Sequence, residues 1–137
     1  MIFSFFYVSR RVIAATRSDH EIDDILSVAR DRNLSLGVTG ALLATPAYFA
    51  QVLEGSEANV EIIMDYIRRD ARHRDIRIVD TEPLTERRFG NWNMAHVPPT
   101  TEVSAALTLL IGEAEAPQVA ASFIELLRQS AGARLPV

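Results

Sequence analysis

A chain of 137 residues supports one compact domain, and a hydrophobic fraction of 48% is enough for a real core, which excludes a disordered tail. The formal charge of −4 at pH 7 disfavours nucleic acid or an anionic membrane as partner, since either calls for a basic face. No cysteine is present, so disulfides and thiolate metal sites are excluded; all 14 basic residues are arginine.

Residues 2–9 read as a first strand, rich in aromatic and β-branched side chains. The apolar start has no basic residue before it and soon meets Arg10-Arg11. It is a poor signal peptide and too short for a membrane span, so a cytoplasmic protein is expected. Ser18-Asp19-His20-Glu21 has the form of a capping box. Ile22, Ile25, Leu26 and Ala29 follow at helical spacing and predict a helix over about 19–32, with Gly37 just beyond it. Val38 to Thr45 and Tyr48 to Glu54 are two strands joined around Pro46-Ala47, a hairpin. Gly55-Ser56 caps a second helix with Val60, Ile63, Met64 and Ile67 on one stripe. Ile76 to Leu84 and Phe89 to Val97 supply two more strands. After Pro98-Pro99, helices are expected over about 102–111 and 117–131, the latter opened by Pro117.

The order βαββαββ is an α+β, ferredoxin-like arrangement with an added strand: a five-stranded mixed sheet with two helices on one face. The first strand is apolar on both faces, so the C-terminal helices are expected on the other. The predicted division is a sheet domain over 1–97 and a helical extension over 98–137. In this architecture the first and third strands are neighbours. Alternation puts Phe3, Phe5 and Tyr7 on one face, and Phe49, Gln51 and Leu53 on one face of the third strand.

Gln51 stands out in the run Tyr48-Phe49-Ala50-Gln51-Val52-Leu53. A carboxamide on a buried strand is costly unless its donors and acceptors are paired. Tyr7 is placed to meet it, and Asn33 brings a second amide near the end of the first helix. Such a set suits a planar, polar ligand; the bland alternative for Asn33 is a left-handed helix cap. Trp92 and Met94 share a face of the predicted last strand. Asp70-Ala71-Arg72-His73-Arg74 closes the second helix, either as a solvated terminus or as a binding cluster for an anionic or carbonyl-bearing ligand. His20, His73 and His96 lack metal-ligand spacing, and the glycines form neither a dinucleotide fingerprint nor a phosphate loop.

Five blocks in this order resemble the BLUF family of flavin-based blue-light sensors. They are Tyr7-Val8-Ser9-Arg10; Arg32-Asn33 with Leu36 to Leu43; Phe49 to Gly55; Asp70-Ala71-Arg72-His73; and Arg87-Arg88-Phe89-Gly90-Asn91-Trp92-Asn93-Met94. The resemblance implies FAD bound without a covalent link, its ring inserted between the two helices that flank the sheet; the residues would accept FMN equally. It implies that Tyr7 gives an electron and then a proton to the excited flavin. Gln51 then rearranges its hydrogen bonds, while Asn33 bonds the ring edge. Arg72 and His73 lie near the pyrimidine side, and Trp92 and Met94 relay the signal. Ser9, Ile25, Arg32, Phe49, Leu53 and Asp70 complete the implied flavin-binding set. The chain departs from the family at Ala47, where glycine is usual, near Ala44, where an aromatic is often found, and at Arg32, where a first asparagine is common.

The expected function is therefore a light sensor, not an enzyme, that signals to a separate protein or through a homo-oligomer interface. The alternative is a ferredoxin-like regulator that binds another small molecule without photochemistry.

Overall fold

The computed structural model describes residues 1–12, 18–112 and 117–132. Five strands run in chain order as β1 (Ile2–Arg11), β2 (Thr39–Ala44), β3 (Tyr48–Gly55), β4 (His73–Leu84) and β5 (Ala95–Val97). The helices are α1 (Ser18–Leu36), α2 (Glu57–Arg68), α3 (Thr101–Gly112) and α4 (Pro117–Gly132). They form one sheet of order β4-β1-β3-β2-β5, in which only the β2–β5 pairing is parallel. This is the mixed, ferredoxin-like α+β architecture expected from the element order.

Strand alternation divides the apolar side chains into two cores. Phe5, Tyr7, Leu42, Phe49 and Leu53 pack with Leu26 and Ala29 of α1 and with Val60, Ile63, Met64 and Ile67 of α2. Phe6, Val8, Ala41, Leu43, Ala50 and Val52 point the other way, against Val103, Leu107 and Leu110 of α3 and Phe123, Ile124 and Leu127 of α4. A sheet apolar on both faces requires a layer on each side. The C-terminal helices supply the second layer.

Local chemistry sets the element ends. Ser56 caps α2, accepting from the Asn59 backbone N–H at 3.2 Å, as expected from Gly55-Ser56. The predicted capping box of α1 rests on the Ser18 side chain, which lies outside the described residues. That helix runs a turn beyond its predicted end and stops at Gly37, whose φ is 66°. The Gly37 N–H reaches Leu34 O at 3.2 Å and the Val38 N–H reaches Asn33 O at 2.8 Å, the paired bonds of a Schellman stop. Asn33 is thus inside the helix and is not its left-handed cap. Gly40 serves another need: a Cβ there would lie 2.0 Å from Val52 O, so only glycine permits β2 to run this close to β3.

The last strand departs most from expectation. Phe89 to Met94 is turn and bend, and only Ala95–Val97 pairs with β2. Glu54, which is fully buried, pins the start of this segment. Its carboxylate accepts from the backbone N–H groups of Arg88 at 2.8 Å and Phe89 at 2.9 Å, and from Thr39 Oγ1 at 3.1 Å. Donors tied to a carboxylate cannot join a ladder. The irregular path puts Trp92 against the α3–α4 core and Met94 in the α1–α2 core, so the two do not share a face.

Candidate functional site

In the β1–β3 register Tyr7 pairs directly with Gln51, and both side chains are buried on the α1–α2 side of the sheet. The Tyr7 hydroxyl donates to Gln51 Oε1 in a short hydrogen bond. Gln51 Nε2 in turn points at Met94 Sδ, 3.4 Å away. Burial pushes the Tyr7 pKa well above its ordinary value, with the Arg32 charge pulling weakly the other way. The group is accordingly a neutral phenol and a hydrogen-bond donor at physiological pH.

Above this chain lies a cleft between α1, α2 and the sheet, lined by Tyr7, Ile25, Val28, Ala29, Arg32, Leu42, Phe49, Gln51, Tyr66, Ile67, Asp70, Arg72 and His73. It takes in about 510 Å³ of space between atoms, counting its mouth. Small-molecule and cofactor sites are concave and mostly apolar, with a few placed polar groups. Apolar walls and a polar floor give it the character of such a site.

The far end of the cleft is held by a local network. Asp70 accepts from Arg72 through the backbone N–H at 3.0 Å and through Nε at 2.9 Å. Burial works against ionisation of Asp70, but the Arg72 hydrogen bonds and charge outweigh it and lower its pKa. Hydrogen bonding to Asp70 likewise raises the Arg72 pKa. His73 uses both ring nitrogens. Nε2 lies 2.6 Å from Ile67 O, which can only accept, so Nε2 carries a proton. Ser9 Oγ sits 2.7 Å from Nδ1. The ring stands edge-on to Phe49 at 5.9 Å and tilted against Tyr7 at 6.2 Å. The end of α2 is therefore built into the site and is not merely a solvated terminus.

Of the residues singled out in the sequence, Tyr7, Ile25, Arg32, Phe49, Gln51, Asp70, Arg72 and His73 line the cleft together. Ser9 stands behind His73. Leu53 is fully buried in the core below and does not reach the cleft lining. Asn33 lies one helical turn past the lining residue Ala29 and is completely buried. Its Nδ2 donates to Asn93 O at 2.8 Å. Met94 closes the inner end through Gln51, whereas Trp92 does not line the cleft and packs against the far-side core.

Two residues were missed. Tyr66 lines the cleft and stacks under the Arg32 guanidinium at 5.3 Å; its signal was an aromatic just outside the apolar stripe of α2. Arg30, unremarkable in the sequence, donates from Nε to Met94 O at 3.1 Å.

Beside the cleft, Asn33 Oδ1 and Arg32 Nε are buried without a protein partner among the described residues, as are Nε and Nη2 of Arg77 and Nη1 of Arg88 elsewhere. Unpaired buried polar atoms cost about 1–3 kcal/mol each, and native proteins satisfy nearly all of them. A flavin fits this donor and acceptor set: its imide offers an N–H and carbonyl oxygens along one ring edge. No cluster of metal-ligating side chains occurs among the described residues.

The family model described as "BLUF: Sensors of blue-light using FAD" matches residues 2–95, and the chain belongs to the BLUF family of flavin-based blue-light sensors. It is 33% identical over 102 residues to photoactivated adenylate cyclase subunit alpha of Euglena gracilis, covering 73% of this chain and 9% of that protein. The dark-state structure of the BLUF protein BlrB is similar at a TM-score of 0.79 and 34% identity, covering 96% of each chain. The photo-activated state of BlsA is similar at a TM-score of 0.82 and 27% identity, covering 93% of this chain and 95% of that one.

Proposed function

We propose that this chain senses blue light by holding the isoalloxazine ring of FAD in the α1–α2 cleft and reading its excitation through Tyr7 and Gln51. The flavin supplies the visible absorption and an excited state that accepts an electron. Tyr7 is the electron donor and then the proton donor. Gln51 takes up the change by reorienting its carboxamide.

The observation that carries this reading is the buried relay Tyr7–Gln51–Met94 at the floor of the cleft. A phenol with one proton, an amide with two unlike ends and a thioether that can only accept form a chain whose direction is set by the amide. Turning the amide swaps which end meets the phenol. No covalent change is required, and one altered hydrogen bond contributes about 1 kcal/mol, enough to bias a two-state element.

Asn33 holds the ring edge through its unpartnered Oδ1. Arg32, Asp70, Arg72 and His73 frame the rest, while Ser9 orients His73. Ile25 and Phe49 supply apolar walls, and Leu53 supports the floor from below. The ring pocket admits FAD or FMN, and the negative end of an adenosine diphosphate would favour the arginines of the mouth. In this reading 1–97 is the photosensory unit and 98–137 a helical extension that carries the signal from the far face. Trp92, packed against that extension, lies on the output side. The chain acts as a sensor and not as an enzyme, passing its signal to a separate partner or through self-association. No helix among the described residues is long and apolar enough to cross a membrane. A cytoplasmic location is part of the same proposal.

The decisive experiment is an absorption spectrum of purified protein before and after blue light. A reversible red shift of the flavin band is expected, absent in Tyr7→Phe and in Gln51→Leu. A full wild-type photocycle in either variant would rule out the assigned relay. Mass spectrometry of the extracted pigment decides between FAD and FMN.

A further inference from the structure

Arg30 and Asn33 are three apart on α1, so their side chains leave the same face of the helix. They grip consecutive carbonyls of the segment entering β5: Asn33 Nδ2 holds Asn93 O at 2.8 Å and Arg30 Nε holds Met94 O at 3.1 Å. Asn93 Nδ2 returns a bond to Val38 O at 3.2 Å. These bonds fix the backbone that aims Met94 Sδ at Gln51 Nε2. Arg30 is exposed overall and borders two surface clefts. One is shared with Asp23, Leu26, Trp92, Ala95, His96 and Ala131. The other is shared with Asp31, Leu34, Asn91, Trp92, Asn93 and Met94. Both are open to the surface, so the segment can shift there once the clamp is released.

A thioether accepts a weak hydrogen bond and has no proton to give. With Met94 held in place, the amide of Gln51 is favoured with its nitrogen toward sulfur. The reversed amide would set oxygen against sulfur. We propose that Arg30 is a positioning residue that acts through Met94 to enforce one orientation of the Gln51 amide and so sets the lifetime of the light-induced state. This rests on the flavin-relay reading given above. Loosening the clamp removes the penalty on the reversed amide, and the return in darkness slows. Trp92, and Ala131 of α4, border the same space, so release of Arg30 changes the surroundings of the far-side layer at this rim.

The test is the rate of dark return of the red-shifted absorption in the full chain, measured at matched flavin occupancy. Arg30→Met should slow it by about threefold to tenfold, the scale of one solvent-screened, charge-assisted hydrogen bond. Arg30→Lys, whose ammonium can still donate to Met94 O, should fall between Arg30→Met and the wild type. In a Met94→Ala background either change should have no further effect, because its intermediary is gone. A merely structural arginine would not show that non-additivity. Unchanged or faster return in Arg30→Met, or equal slowing with and without Met94, would overturn the proposal. Should Arg30→Met fail to fold, the lysine variant in both backgrounds decides the same question. A wild-type protein with no red shift would instead strike the flavin-relay reading, before any variant is compared.

Discussion

Tyr7 and Gln51 face each other across the antiparallel β1–β3 pair, and the phenol donates its one proton to the amide oxygen, leaving the amide nitrogen for Met94. Because Tyr7 is only 3% exposed, its anion finds little solvation in the folded chain. This makes the relay insensitive to pH through the physiological range and costly at high pH.

The alkaline limb of stability tests that burial. In the unfolded chain the phenol ionises near its ordinary value of 10.0, whereas in the folded chain it stays protonated well above this. Stability is thus fully present below 10.0 and falls as the pH rises further, by about 1.4 kcal/mol per pH unit at most. Denaturant melts at rising alkaline pH should show this loss in the wild type and a smaller one in Tyr7→Phe. Parallel losses in both would place the phenol's ionisation in solvent.

Asn33→Ala removes the donor to Asn93 O and strands that carbonyl in a partly buried setting. About 1–3 kcal/mol of stability should be lost in chemical denaturation without flavin. Flavin affinity should fall in addition, since the unpartnered Oδ1 goes as well. Unaltered flavin affinity in a folded variant would remove Asn33 from the ring edge.

Gly40→Ala is expected to be far more damaging than its one methyl group suggests. The new Cβ would meet the Val52 carbonyl, a backbone atom that cannot move without parting β2 from β3. A loss of about 3 kcal/mol, read from the thermal midpoint, follows from overpacking of this kind. A midpoint like that of the wild type would mean the two strands can separate freely.

The far-side helices can be probed without touching the cleft. Leu127→Ala opens a cavity in a fully buried part of the α3–α4 core and should cost about 2–5 kcal/mol. Removing 98–137 altogether should leave Phe6, Val8, Leu43 and Val52 uncovered and the remainder prone to aggregate. A truncated chain as stable and soluble as the whole would show that the sheet does not need its second layer.

Local pattern was a good guide wherever the partner was near in sequence. The apolar stripes of α2 and α4, the cap at Ser56, and the alternation that puts Tyr7 beside Gln51 were all legible. Legibility failed where a distant group intervened. Phe89 to Met94 alternates well enough to be a strand, but the Glu54 carboxylate claims the N–H groups of Arg88 and Phe89 at its start, from 34 and 35 residues away. With that strand lost, the inferred shared face of Trp92 and Met94 went too. The length of α1 was misjudged because Asn33 looked like a terminus, while the left-handed conformation belongs to Gly37. Arg30 gave no sign in the sequence, since its acceptor is a main-chain oxygen 64 residues on.

The sheet order carries one more consequence. Tyr7 and Gln51 occupy the two strands nearest the middle, each flanked on both sides, whereas β5 sits at the rim, joined to β2 through Ala41↔Ala95, Leu42↔His96 and Leu43↔Val97 alone. Amide protons of β5 should exchange with solvent well before those of β1 and β3. The molecule thus joins a stiff centre at Tyr7 and Gln51 to a margin that peels readily, and a small tug at Met94 can be felt outside while those two residues stay in register.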